Sequence, residues 1–365
     1  MRARLSLSLS LAMGLGMSIV LPGCMPDKVL KLPVAFAPRK VADGWEAASA
    51  AEAGFDEAKL RAVYERFYAE DAFPTSKSLL VIRKGKLVAE AYARKEEHAT
   101  RLHHIKSATK SVTSLLLGIA LAQGHLSSLD QKVYDLIPEA FDGDPEKRAI
   151  TLGDLVTMRS GLSYQNHRET TRMMIDEPES SLKFILERPR DHAPGAVANY
   201  SDGDVHLLAG VIQKAVGRNL EDFAREALFE PLGITDVKWE KHRDTIPYGA
   251  YGLYLHPRDM AKLGQLCLQQ GMWNGKPIVP AQWIADSVQP RVTVFDSPYG
   301  YYWWVRPELG GYCANGHGGQ YIYVVPGKDL VVVHTAEPYT YRPSFGVSLE
   351  QIEGLVREIV AATES

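Results

Sequence analysis

Three cysteines, Cys24, Cys267 and Cys313, are all that 365 residues contain. So few exclude a disulfide framework, and the sequence leaves open whether Cys267 and Cys313 pair. The chain has no long block of like charge, and 41 basic residues stand against 44 acidic ones, so nothing points to nucleic acid. Internal repeats and Gly/Ser low-complexity tracts are missing. No histidines stand at a metal-binding spacing such as His-Glu-x-x-His; the adjacent His103 and His104 suit strand or packing positions. Gly-x-Ser-x-Gly is also absent, which removes the α/β-hydrolase reading, and His317-Gly318-Gly319 lies far downstream of the serine argued below. What remains is 45% hydrophobic and 23% charged, the balance of a soluble globular protein with room for about two domains.

The N-terminal apolar run, Leu5 to Val20 behind Arg2 and Arg4, is too short and wrongly flanked for a membrane span and reads as a signal peptide. It ends in Leu21-Pro22-Gly23-Cys24, which resembles the lipobox of bacterial lipoproteins, although Pro22 replaces the usual small residue. That resemblance implies residues 1–24 as a lipoprotein-type signal, lipidation of Cys24, and export to the bacterial cell envelope. The membrane would then be met only through a lipid anchor. A plain secretory signal with an incidental cysteine is the alternative. Residues 25–50, with Pro26, Pro33 and Pro38, read as an extended tether, leaving 51–365 as the folded domain.

Within that domain the periodicity predicts a helix from Asp56, with Leu60, Val63, Tyr64 and Phe67 on one face. Ser78–Arg83 and Leu87–Tyr92 flank Lys84-Gly85-Lys86 as a hairpin. Residues 125–290 are mostly helical. Strands return at Gly300–Val305, Gln320–Val325 and Leu330–His334, and Leu349 to Val360 closes the chain as an amphipathic helix. The predicted class is α+β: an antiparallel sheet built from the two ends of the chain and flanked by helices, with a mostly helical domain inserted. The cleft between them is where a site belongs.

Ser107-Ala-Thr-Lys110 opens an apolar helix that runs to a stop near Gly124. Serine and lysine three apart share one helical face. A serine hydroxyl is a poor nucleophile until a base takes its proton. A lysine serves as that base only if burial or nearby positive charge lowers its pKa, and Val112, Leu115, Leu116 and Leu117 promise burial. A second Ser-x-x-Lys, Ser180–Lys183, follows acidic residues and reads as the capped start of an exposed helix.

Two further segments complete the constellation. Pro194-Gly195 leads to Tyr200-Ser201-Asp202 at a loop-to-helix junction, where a tyrosine beside a lysine can relay protons. Tyr164, in the similar Tyr164-Gln165-Asn166, is expected as a wall contacting substrate. Gly316-His317-Gly318-Gly319-Gln320 precedes a strand. Glycines there admit a substrate carbonyl, the N–H groups of Ser107 and Gln320 would form an oxyanion hole, and His317 would polarise the site or hold substrate. Trp304 is a candidate lining residue.

Taken in order, Ser107–Lys110, Tyr200–Asp202 and His317–Gly319 resemble the Ser-x-x-Lys, Tyr-x-Asn and Lys-Thr-Gly (or His-x-Gly) motifs of the penicillin-recognising serine hydrolases. The resemblance is to the class C β-lactamase-related branch and covers roughly residues 50–360. Ile150–Leu162, Phe229–Ile234, Gly252–Asp259 and Met272–Ile278 add to it. Tyr299–Trp304 and Gly316–Tyr323 look most like 6-aminohexanoate-dimer hydrolases and their esterase relatives. The resemblance implies a β-lactamase/DD-peptidase-like fold, Ser107 as nucleophile, Lys110 as base, Tyr200 as proton relay, and no metal or organic cofactor. The implied substrates are short carboxyl esters or linear amides. A β-lactamase or DD-peptidase acting on cell-wall-related amides is the alternative, and a binding module retaining the fold is the second. Asp202 stands where Asn is usual, and an anion there favours the lysine ammonium; His317 stands where Lys binds a substrate carboxylate.

Overall fold

The computed structural model describes residues 35–69, 73–93, 95–141, 143–339 and 347–364. All of them fall in one unit, Leu32–Ser365. Cys24 and the signal segment 1–24 lie outside the described residues.

Asp56 caps the first helix, α1 (Glu57–Tyr68), by accepting from the Lys59 N–H, and buries Leu60, Val63, Tyr64 and Phe67 as the periodicity predicts. Strands β1 (Ser76–Arg83) and β2 (Lys86–Tyr92) follow. Their two-residue turn places Lys84 at φ 51° and Gly85 at φ 74°, the left-handed pair that matches sheet twist. After β3 (His103–His104) comes α2 (Thr109–Ala122), buried at every position from Thr109 to Ala120 and ended by Gly124 at φ 75°. The helical stretch then carries α3 (Leu152–Val156), α4 (Asn166–Asp176), α5 (Ser181–Leu186), α6 (Asp202–Val216) and α7 (Leu220–Ala224). Next are β4 (Lys238–Trp239), β5 (Leu253–Leu255) and α8 (Pro257–Leu268). A short hairpin, β6 (Met272–Trp273) and β7 (Lys276–Pro277), leads to α9 (Ala281–Ser287). The chain finishes with β8 (Val292–Val294), β9 (Ser297–Tyr299), β10 (Trp304–Arg306), β11 (Gly311–Gly316), β12 (Gln320–Val325), β13 (Leu330–Ala336) and α10 (Leu349–Ala361).

Among the described residues, one antiparallel sheet of eight strands runs in the order β2-β1-β13-β12-β11-β10-β9-β8, joining the two ends of the chain as expected. Alternation along β13 separates its faces. His334 meets Phe67 of α1 edge-on, at 6.1 Å between ring centroids. Val331 points the other way, onto Gly264 of α8, where an added Cβ would stand 2.6 Å from the valine. A second small sheet, β3-β5-β4, ties the segment before α2 to the helical region.

Two expectations need correction. Residues 36–50 pack on the domain instead of forming a free tether. Phe36 is buried against Tyr64, the Phe36 carbonyl accepts from the Glu90 N–H at 2.8 Å, and Ala47 bridges Leu87. Gly300–Val305 is not one strand. The Gly300 N–H donates to the Trp303 carbonyl at 2.9 Å and Tyr302 adopts φ 64°, so the run turns between β9 and β10. Aromatic composition suits a strand, but here it serves burial inside a turn: Tyr302 and Trp303 are both 1% exposed. Cys267 and Cys313 are separate buried thiols. Burial raises the pKa of both, that of Cys313 to about 12.

Candidate active site

Ser107 sits in a single 3-10 turn, Lys106–Ala108, that runs straight into α2. Lys106 is left-handed at φ 53°, so the chain reverses just before the serine. Ser107 is half-buried, whereas Lys110, one turn deeper, is 1% exposed. The Lys110 Nζ lies 3.1 Å from Ser107 Oγ, 2.6 Å from Asp202 Oδ1 and 3.0 Å from the Ala250 carbonyl. It also stands 4.8 Å from the centre of the Tyr200 ring. The three candidate residues Ser107, Lys110 and Tyr200 therefore come together, with Asp202 among them.

Asp202 is the first residue of α6, where the helix dipole favours negative charge. Its N–H donates to Asn166 Oδ1 at 2.7 Å, and its Oδ2 accepts from Thr170 Oγ1 at 3.2 Å. Burial by itself would push the Lys110 pKa down, but the Asp202 carboxylate and the Tyr200 hydroxyl outweigh it and hold the lysine above its ordinary value. The lowered lysine pKa that burial alone would give is thus opposed in the resting protein by the anion at 202, which favours the ammonium.

The loop carrying Tyr200 is braced from below. The Asn199 N–H donates to the Met158 carbonyl at 2.8 Å, and the Gly195 N–H to the Arg159 carbonyl at 2.8 Å. Asp204, fully buried, accepts from Ser160 Oγ at 2.7 Å and from the Ser160 N–H at 3.2 Å. Burial raises its pKa to about 6 despite these bonds. Above the loop, the Tyr200 ring lies 5.8 Å from Trp304, 6.1 Å from Tyr299 and 5.6 Å from Phe295. Trp304, a candidate lining residue, therefore stands beside Tyr200.

The glycine turn 317–319 joins β11 to β12. Gly316 is pressed so closely on the segment before Ser107 that a Cβ there would come 2.1 Å from the Ile105 carbonyl. Gly318 and Gly319 take φ 75° and 99°, conformations open to glycine. His317 is exposed at the turn. The Gln320 side chain is buried, clamped to Ala336 by a 2.8 Å bond from its Nε2 to the carbonyl. Behind the turn, the Gly319 carbonyl accepts from His334 Nδ1 at 2.7 Å. A carbonyl only accepts, so Nδ1 carries the proton and Nε2 accepts from Ser76 Oγ, also at 2.7 Å.

Tyr164 is not the expected wall. It is 1% exposed, its hydroxyl lies 3.2 Å from Thr170 Oγ1, and its ring covers Gly203 of α6. It supports Asp202 from behind through Thr170. The Ala250 carbonyl, Thr170 and Phe295 carry no signal of their own in the sequence, and Asn166 is marked only by its place in Tyr164-Gln165-Asn166.

A cavity of about 780 Å³ lies elsewhere, lined by Arg258, Asp259, Lys262, His256 and Asp236 among others. Its polar side chains already partner one another: Arg258 with Glu90 and Asp43, Lys262 with Asp259, and His256 by a hydrogen bond with Asp236. It contains no paired nucleophile and base, so size alone does not make it the reactive centre.

A protein-family model described as Beta-lactamase matches residues 61–337. Lovastatin esterase of Penicillium rubens is 29% identical over 157 residues, which cover 37% of this chain and 39% of the esterase. The chain spans less than half the length of curated relatives such as this one, from 21% to 49%. Among solved structures, one named "Putative 6-aminohexanoate-dimer hydrolase from Bacillus anthracis" superposes with a TM-score of 0.67 at 22% identity, covering 79% of this chain and 78% of its own. A class C beta-lactamase superposes with a TM-score of 0.64 at 18% identity, covering 85% and 96%. At such identities the structural likeness speaks for the fold.

Proposed function

The chain belongs to the beta-lactamase family, and from that premise we propose a serine hydrolase that cleaves short carboxyl esters or linear amides through an acyl-serine. The observation carrying the proposal is the donor count at Lys110. Two of its neighbours, the Asp202 carboxylate and the Ala250 carbonyl, only accept. A neutral amine has two N–H groups for those two acceptors and one lone pair left, and the third neighbour is Ser107 Oγ at 3.1 Å. The ammonium fills the third position with a proton and leaves the serine quiet. Lys110 is thus built to be a base once a proton is removed.

Acylation then balances simply. Ser107 Oγ attacks the substrate carbonyl as its proton passes to the neutral Lys110. Lys110 returns a proton to Tyr200 as the tyrosine hydroxyl protonates the departing alcohol or amine. The bond from carbonyl carbon to leaving group breaks, and Lys110 is neutral again. Water repeats the sequence in reverse to free the acid. The oxyanion would be held by the Ser107 N–H and a second N–H of the glycine turn. Gln320, which follows the glycine pair, is the candidate to supply it.

Esters are preferred in this reading because the exposed His317 stands where a lysine would bind a substrate carboxylate, and because an esterase is among the relatives. Export and a lipid anchor at Cys24 complete the proposal; mass spectrometry of the mature N-terminus after expression in a bacterial host tests them. Hydrolysis of p-nitrophenyl butyrate by residues 25–365, beside Ser107→Ala, tests the chemistry. Loss of turnover and of an acyl adduct on residue 107 supports it, and equal rates overturn it. Nitrocefin turnover exceeding ester turnover would favour the lactamase alternative.

A further inference from the structure

Phe295 is an odd residue for its position. Val294 pairs with Ser297, so Phe295 and Asp296 form a two-residue turn, and both are left-handed, at φ 47° and 59°. Turns of this kind favour Asn and Gly, and a bulky residue with positive φ is an outlier. The side chain gains nothing from burial, being 76% exposed. Strain and exposure together call for a use outside the folding of the chain.

The use is indicated by its neighbours. The Phe295 ring stands 5.6 Å from Tyr200, and lies 15° from parallel to Trp304 at 6.5 Å. Trp304 is itself 5.8 Å from Tyr200. The three rings are thus mutual neighbours, and one of them belongs to the residue assigned to protonate the leaving group. We propose that Phe295 and Trp304 form a leaving-group subsite selecting esters of flat, apolar alcohols such as phenols and naphthols. The inference rests on the reading of Tyr200 given above. An apolar leaving group on its way to the Tyr200 hydroxyl would cover the exposed Phe295 face, and aromatic pairing would orient it.

The test compares kcat/KM for 2-naphthyl acetate and ethyl acetate, which share an acyl group, in wild type and Phe295→Gly. Glycine relaxes the turn, so thermal stability should hold or rise. The naphthyl-to-ethyl ratio should fall about tenfold in Phe295→Gly and return in Phe295→Tyr, an effect of the size expected for one lost aromatic contact. The ratio of p-nitrophenyl hexanoate to p-nitrophenyl acetate, which varies only the acyl chain, should not follow it. Binding of 2-naphthol by equilibrium dialysis, read in Ser107→Ala so that no turnover is needed, should weaken by a similar factor on adding Phe295→Gly. An unchanged naphthyl-to-ethyl ratio, or an acyl-chain ratio that moves instead, overturns the subsite; so does unaltered naphthol binding. Failure of the hydrolase reading is distinct, since it would show as esterase activity surviving Ser107→Ala.

Discussion

Two serines in this chain carry the same Ser-x-x-Lys signature, and the molecule uses them in opposite ways. At Ser107 the lysine is buried, bonded to Asp202, Ala250 and the serine itself. At Ser180 the hydroxyl accepts from the Lys183 N–H as a helix cap, and Lys183 points outward to Glu187 at 4.0 Å. The next residue sharpens the contrast. Ser181 is fully buried between His206 Nε2 at 2.8 Å and Asp244 Oδ2 at 2.6 Å, the residue types of a hydrolytic triad. Yet the order is wrong. The carboxylate takes the serine's proton, so His206 must donate to Ser181 and has no lone pair to offer it. Burial also depresses the His206 pKa to about 4, keeping it neutral, and no substrate reaches a buried hydroxyl. Residue types and spacing do not make a nucleophile; the direction of each proton and access from solvent do.

The widest split is expected in activity. Ser107→Ala should lower kcat/KM by a factor on the order of 10⁴ or more, as loss of a nucleophile does elsewhere. Ser181→Ala should leave turnover per folded molecule intact and cost about 1–3 kcal/mol of stability through the groups it leaves unpaired. Ester kinetics and urea unfolding on both variants check this. Next come the lysines. Lys110→Met strands a largely buried carboxylate, at about 3–5 kcal/mol, whereas Lys183→Met should stay within about 0.5 kcal/mol because its pair is exposed. Unfolding midpoints that move equally would erase the distinction.

His206 gives the third comparison. Its folded pKa lies below the unfolded one, so the unfolded chain binds the extra proton and stability is lost as pH falls from about 6.5 toward 4. His206→Gln keeps an N–H near Nε2 without titrating. Between pH 7 and 4.5 it should lose less stability than wild type, by up to about 3 kcal/mol. Identical acid profiles would mean that His206 is already charged, and that the Ser181 cluster has been misread.

Much of this was legible in the sequence. The helix start at Asp56, the apolar face of α1, the Lys84-Gly85 turn and the cap at Ser180 are local, and local chemistry decides them. Ser107, Lys110, Tyr200 and Asp202 could be gathered by motif order. What could not be read depends on contacts between distant segments. The Ala250 carbonyl reaches Lys110 across 140 residues, and no side chain marks it. Tyr164 and Tyr200 sit in similar short motifs, and only the packing of Gly203 against the first ring explains which is buried. Phe295 was invisible because a turn residue is chosen for its backbone, and this one conflicts with it.

The smallest effect is also the most informative about mechanism. Burial by itself lowers the Lys110 pKa, and Asp202, with Tyr200, holds the ammonium against it. Even an ordinary lysine costs roughly 5 kcal/mol to deprotonate at pH 7, so the neutral base is scarce and kcat/KM should climb with pH well past neutrality. Asp202→Asn removes the anion but leaves an acceptor for one Lys110 N–H. Burial is then opposed only by Tyr200, and the lysine pKa falls. The rising limb of kcat/KM should move toward neutral pH by at least about one unit, giving about tenfold more activity at pH 7. A limb left in place would show that Lys110 titration does not gate acylation. Activity lost at every pH would show that Asp202 itself receives the proton from Lys110, making the 2.6 Å contact the working proton path rather than a brake.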